Sequence, residues 1–128
     1  MREIKFRGKS IMTGEWVYGS LIQEDKWAFI RNLDKNGIRN IYQVDPETVG
    51  QYTGLKDKSG TEIFEVDFLQ DRDIITQVVF RDSEWQEKLI SSPKNHLRDY
   101  FPFSNEISLA TTVIGNIYDN PELLETKE

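Results

Sequence analysis

Short apolar runs separated by turn-forming residues fill most of this 128-residue sequence, and that spacing is its tightest constraint. Residues 4–7, Ile-Lys-Phe-Arg, alternate with the period of two expected of a half-buried strand. Gly8 and Thr13-Gly14 punctuate a turn region. Residues 15–22, with Trp16, Tyr18, Leu21 and Ile22, predict a second strand interrupted by Gly19. Residues 26–30 predict a third, with Trp27 and Phe29 on one face; 38–44 predict a fourth and 48–52 a fifth. Between the last two, the ring of Pro46 pushes Asp45 towards an extended conformation and makes a turn.

Two connections share one turn chemistry. Asp34-Lys35-Asn36-Gly37 and Asp57-Lys58-Ser59-Gly60 each open on an Asp able to bond its own downstream backbone. Each closes on a Gly that accepts positive φ. Both are expected to be β-turns at hairpin-type connections. Residues 74–80, Ile-Ile-Thr-Gln-Val-Val-Phe, are rich in β-branched side chains and predict a buried strand.

The pattern changes over residues 83–99. Trp85, Leu89 and Ile90 have helical spacing, Ser83 can cap, and Glu84 and Lys88 form an i,i+4 pair. Ser91-Ser92-Pro93 breaks that segment, so a short helix followed by an irregular loop is predicted. Strand character returns over 107–118, and Asp119-Asn120-Pro121-Glu122 opens a helical turn with Pro at its first position. Lys127 and Glu128 are expected to fray. With no linker and no low-complexity tract, residues 1–128 read as a single domain. The expected class is mainly β, a small barrel or coiled sheet, with short helical segments in the C-terminal half.

Composition narrows the function classes. No stretch approaches the roughly 20 apolar residues of a membrane span, and the opening residues lack the apolar run of a signal peptide. The absence of cysteine excludes disulfides, thiolate metal sites and Cys nucleophiles, and it suits a reducing cytoplasm. A net charge of −6 argues against a general nucleic-acid coat. The charge is uneven: residues 1–40 carry eight Lys/Arg against five Asp/Glu, and residues 41–128 carry eight against seventeen. Scatter over a solvated surface accounts for this, as does a basic front of one copy meeting the acidic remainder of another.

Candidate chemistry is thin. Asn32 to Gly37 places oxygen side chains at the first, third and fifth positions of a calcium loop with Gly at the sixth. The twelfth position is the neutral Gln43, which cannot supply the bidentate carboxylate, so a plain turn is expected. Glu62, Glu65, Asp67, Asp71 and Asp73 form an acidic stretch that could do acid–base work or hold magnesium if two of them converged. A solvated acidic face is the expected form. His96 is the only histidine, and its nearness to Ser92 and Asp99 in sequence is not a triad, because triads are defined by spatial roles. One His and no Cys make zinc improbable, and there is no phosphate-cradling glycine loop. Arg2, Lys5, Arg7 and Lys9 make a basic strip around Phe6, with Lys5, Arg7 and Lys9 on one strand face. That strip can touch phosphates or can keep an edge strand soluble. No catalytic, cofactor-binding or metal-binding residue is assigned.

Three segments taken together carry a resemblance. They are the opening Met-Arg-Glu-Ile-Lys-Phe-Arg of residues 1–7, the central stretch from Val49 to Asp67 built around Tyr52-Thr53-Gly54-Leu55 and Asp57-Lys58-Ser59-Gly60, and the closing stretch from Val113 to Leu124 with Ile114-Gly115-Asn116-Ile117-Tyr118. In this order they resemble the YopX-like family of phage and prophage proteins, nearly end to end, although residues 81–110 carry no recognised motif. The resemblance implies coiled β-sheets that include an SH3-like barrel, assembly into a large homo-oligomer, and no established activity, cofactor or catalytic residue. Where the family reads Glu-Gly-Asp, this sequence has Glu65-Val66-Asp67, so a conventional bend without positive φ is expected there.

Three functions follow as expectations. The first is a non-enzymatic accessory protein of phage or prophage, cytoplasmic in a bacterial host. It would self-associate into a homo-oligomer larger than a dimer and bind a host or phage protein. The second is a nucleic-acid-binding small barrel using Arg2, Lys5, Arg7 and Lys9 with Trp16 or Trp27, against which the net charge counts. The third is a hydrolase using the acids of residues 62–73, for which no motif speaks.

Overall fold

The computed structural model describes residues 3–93 and 99–125. Arg2, His96, Lys127 and Glu128, all raised by the sequence, lie outside the described residues. The chain divides into two compact units, one ending at Tyr52 and the other starting at Thr53.

In the first unit β1 (Phe6–Lys9), β2 (Trp16–Glu24), β3 (Trp27–Leu33) and β4 (Arg39–Val44) form an antiparallel meander, and the start of β5 (Gly50–Lys56) pairs with β1. The alternation is clean in β3, where Ala28 and Ile30 are buried and Trp27 and Phe29 point away from them. Ala28, Ile30 and Val44 make the core, with Phe6, Val17, Leu21, Tyr42 and Val49 packed around it. A single bridge from Ser10 to Val44 links the chain after β1 to the end of β4, but the strand order stays open. Asp45 caps the short 3-10 turn Pro46–Thr48 through its side chain, as its extended φ of −69° allows.

In the second unit the end of β5 and β6 (Glu62–Phe64) flank the Asp57 turn. The other sheet has the order β10 (Tyr100–Pro102), β9 (Glu84–Ser91), β8 (Ile74–Arg81), β7 (Asp67–Asp71), β11 (Thr112–Asn116), antiparallel throughout and open at both edges. Ile63, Leu69 and Val78 form its core with Trp85, Phe103 and Val113 packed against them. Among the described residues of this unit, helical structure is limited to α1 (Asn105–Ser108) and the 3-10 turn Pro121–Glu125. The mainly β class and the short C-terminal helical segments are therefore present, without a closed barrel in either strand order.

The predicted helix after Ser83 is instead the strand β9, paired with β8 from Ile75 to Arg81. Asp82 and Ser83 sit at φ 56° and 64° between the paired Arg81 and Glu84, which makes a two-residue hairpin of the primed kind. Trp85 and Leu89 lie four apart and point the same way in a strand as well as in a helix. Burial of the polar Gln86 and Glu87 erased the alternation that would have told the two apart.

Both Asp-x-x-Gly turns form as expected, and they are geometrically alike. Asp34 Oδ1 accepts from the N–H of Asn36 and Ile38, each at 2.9 Å. Asp57 Oδ1 accepts from Ser59 at 2.8 Å and Thr61 at 2.9 Å, and Gly37 and Gly60 close the turns at φ 78° and 87°. Only Asp57 is buried, and its Oδ2 reaches across to the N–H of Val113 in β11 at 2.9 Å. Burial pushes its carboxyl upward, but the donors from Val113, Thr61, Ser59 and Gly60 outweigh that and leave it below the ordinary aspartate range. Replacing Asp57 by Ala should therefore cost about 3 kcal/mol in chemical denaturation. Replacing the exposed Asp34 by Ala should cost a small fraction of that, and equal losses would refute the role given to burial.

The bend at Glu65-Val66-Asp67 is not conventional: Val66 has φ 65°, a left-handed conformation that a β-branched side chain rarely takes. Its surroundings force it there. Val66 N–H donates to Val78 O at 2.9 Å, Val66 O accepts from Ile117 at 3.3 Å, and the buried Asp67 closes the turn by accepting from Phe64 N–H at 2.7 Å. Such strain costs about 1–3 kcal/mol. Val66→Gly should raise stability by about 1 kcal/mol after the loss of chain entropy that Gly brings. Val66→Ala, which keeps a Cβ, should not reproduce that gain in melting experiments.

Candidate functional site

The basic strip does not stay together on one exposed face. β1 is not an edge strand, because it pairs with β2 on one side and β5 on the other. Arg7 is buried, with its guanidinium carbon 4.5 Å from the centroid of the Trp16 ring, and the Lys9 ammonium lies 5.3 Å from the same ring. Register explains this pairing: Lys9 sits opposite Trp16, and Arg7 is its diagonal neighbour on β1. Lys5 lies 5.5 Å from the Tyr52 ring and 3.3 Å from Glu3.

Lys5 instead joins two cations that the sequence reading did not single out. Arg31 on β3 and Arg39 on β4 line an open groove with Lys5, Glu3, Ile4 and Leu33. The β3–β4 register brings them close, since Arg39 pairs with Leu33, two residues beyond Arg31. Gly19 forms part of the floor. A Cβ there would lie 2.2 Å from the carbonyl oxygen of Arg31, so any side chain would push β3 away from β2. Ile4 and Leu33 are well exposed, at 62% and 65%. The groove thus combines three cations, one anion and two uncovered apolar side chains.

The acidic stretch of residues 62–73 is not one solvated face. Asp73 is exposed and Glu62, Glu65 and Asp71 are half-buried, while Asp67 is fully inside and serves the Val66 turn. The calcium-like loop is spent on its own turn, with Asp34 Oδ1 engaged by two backbone donors. Among the described residues no group of three or more His, Asp or Glu side chains is placed to hold a metal ion. The Ser92, His96 and Asp99 arrangement falls on His96, outside the described residues.

The carboxylate pair that does share a pocket was not legible as one. Glu87 on β9 is buried, and its Oε1 accepts from the hydroxyl of Thr76 on β8 at 2.8 Å. Asp71, from the acidic stretch, lines the same pocket. Burial pushes the Glu87 carboxyl up, the Thr76 hydroxyl pulls it down, and the Asp71 charge adds to the rise; the net direction is upward. Reading residues 83–90 as a helix hid this pair, because a helix gives Glu87 no cross-strand neighbour. A carboxyl whose folded pKa is raised loses stability as pH climbs above the ordinary glutamate value, since the unfolded chain ionises first. Glu87→Gln should therefore melt at or above the wild-type temperature at pH 7. That difference should shrink as pH falls towards the ordinary glutamate range, and a gap that widened on acidification would contradict the assignment.

The motifs at the chain's end are structural as well. Asn116 Oδ1 accepts from the N–H groups of Tyr118 and Asp119, each at 3.0 Å, and Asn120 Oδ1 accepts from Asn116 N–H at 3.2 Å. Gly115 leaves room for that carboxamide: a Cβ there would stand 2.2 Å from Asn120 Oδ1. These are the marks of a small, mainly β protein whose recurring Gly, Asp and Asn residues build turns. The YopX protein family model matches residues 5–125, and the chain belongs to that family. The fold is shared with the crystal structure of protein EF1440 from Enterococcus faecalis, with a TM-score of 0.59 and 24% sequence identity over 97% of this chain and 99% of that one. None of the curated proteins matches the sequence. No described helix is long and apolar enough to cross a membrane.

Proposed function

We propose that this YopX-family chain is a non-enzymatic accessory protein of phage or prophage that self-associates in the bacterial cytoplasm and docks a protein partner. The groove of Lys5, Arg31 and Arg39 carries the reading. It is a basic surface on a protein whose remaining charge is strongly acidic. Residues 1–52 hold eight Lys/Arg against seven Asp/Glu, and residues 53–128 hold eight against fifteen. The groove of one copy is therefore complementary to the acidic second unit of another. A contact between unlike surfaces is heterologous and leads to rings when the rotation closes, so the assembly exceeds a dimer. The exposed Ile4 and Leu33 supply apolar area that the charges alone lack.

The nucleic-acid alternative is weakened by the burial of Arg7 against Trp16, which takes the centre of the basic strip away from phosphate. The SH3-like barrel implied by family resemblance belongs to this proposal too, with the Ser10–Val44 bridge as its one point of support.

Light scattering between about 0.1 M and 1 M salt tests the proposal, because the screening length falls from about 10 Å to about 3 Å over that range. The expected result is an oligomer larger than a dimer at low salt that shrinks at high salt. Arg31→Glu combined with Arg39→Glu should reproduce the shrinkage at low salt. A strict monomer throughout refutes self-association, and an oligomer indifferent to salt refutes the electrostatic contact. Tight DNA binding abolished by the same double variant would transfer the groove to nucleic acid.

A further inference from the structure

The second unit contains a pocket of a different character. Strands β7, β8 and β9 form it with Phe101 of β10 and Ile107 of α1, and its volume is about 210 Å³. Ile74, Leu89, Phe101 and Ile107 make apolar walls. The polar lining is Asp71, Thr76, Glu87 and Thr111, and the Thr111 hydroxyl is already donated to Ser108 O at 2.8 Å.

Glu87 gives the pocket its chemistry. The residue is 7% exposed, and Thr76 engages Oε1. Among the described residues nothing donates to Oε2, and no Lys or Arg lines the pocket. A largely buried carboxylate with no counter-charge among the described residues is costly, and a cation brought to its open Oε2 offsets that cost. Anions are repelled by Glu87 and Asp71 together. A hard metal ion needs six or more oxygen ligands, which apolar walls and a hydrogen-bonded carboxylate do not supply. An organic cation on an apolar stem satisfies both halves of the lining.

We propose that this pocket binds an alkylammonium or alkylguanidinium group on a short aliphatic stem. Glu87 is the ion-pair partner, the half-exposed Asp71 reinforces the field, and the stem lies against Leu89, Phe101 and Ile107. The group can arrive as a free amine or as the Lys or Arg side chain of a second copy of this chain.

The test titrates n-butylammonium into the full chain at pH 7 and compares it with n-butanol, which has the same stem and no charge. The amine should raise the melting temperature at concentrations where the alcohol does not, and it should shift the methyl resonances of Ile74, Leu89 and Ile107. Glu87→Gln should weaken the amine about tenfold, the factor equivalent to 1.4 kcal/mol. If that variant does not fold, the methyl shifts of the wild-type chain decide the matter. Amine binding no tighter than the alcohol's, or unchanged by Glu87→Gln, overturns the proposal. Light scattering with excess amine separates the two sources. Loss of an oligomer identifies a second copy's side chain as the occupant, and an undisturbed assembly identifies a free amine.

Discussion

The second unit depends on one carboxylate more than on any other polar group. Asp57 is buried with two backbone donors on Oδ1 and a third, from Val113, on Oδ2. The first two shape the turn between β5 and β6, and the third fixes that turn to a strand 56 residues further on. Lys58 N–H adds a bond to Thr111 O at 3.0 Å beside it. A local turn thereby becomes a long-range tie, and burial strengthens each bond because water does not compete for the oxygens. The equivalent turn at Asp34 has the same local geometry and no such reach, which is why identical chemistry has unequal weight in the two places.

The strain at Val66 is the other side of that architecture. Three hydrogen bonds converge on the Phe64–Asp67 turn, and together they hold a β-branched residue in a conformation suited to Gly. The fold overrides the residue because the alternative is to leave buried donors and acceptors unsatisfied. In the central and closing segments that carry the resemblance to the YopX family, Asp57, Gly60, Asp67, Gly115, Asn116 and Asn120 all take part in turns or close approaches of this kind. Family membership consequently defines a scaffold. The groove draws on Lys5 of the opening segment together with Arg31 and Arg39, and the pocket of the second unit on Thr76 and Glu87, which lie outside the motifs.

Charge placement follows from strand pairing. The basic side chains in and just before β1 divide, with Arg7 and Lys9 directed to Trp16 and Lys5 to the groove. A cation stacked on a ring inside a sheet contributes to packing and leaves the recognition surface. The cations that remain on the groove come from β3 and β4, brought together by a register that a reading of β1 alone does not contain. The acids divide in a similar way between a buried turn, a pocket wall and solvent.

The sequence by itself determined the mainly β class, the first five strands to within a few residues, both Asp-x-x-Gly turns and the terminal helical turn at Pro121. Each is set by local chemistry: alternation of side chains, the ring of Pro, or an Asp bonding its own backbone. Only the tertiary structure decided that residues 84–91 are a strand. The Asp82-Ser83 hairpin lacks the Asn-Gly or Asp-Gly that marks such turns, and cross-strand partners supplied what local propensity did not. The same holds for the burial of Arg7, Asp67 and Glu87, for the positive φ of Val66, and for the convergence of Asp71 with Glu87. Every one of these depends on which strand lies beside which and in what register, and that pairing is set by bonds between strands, not within one segment.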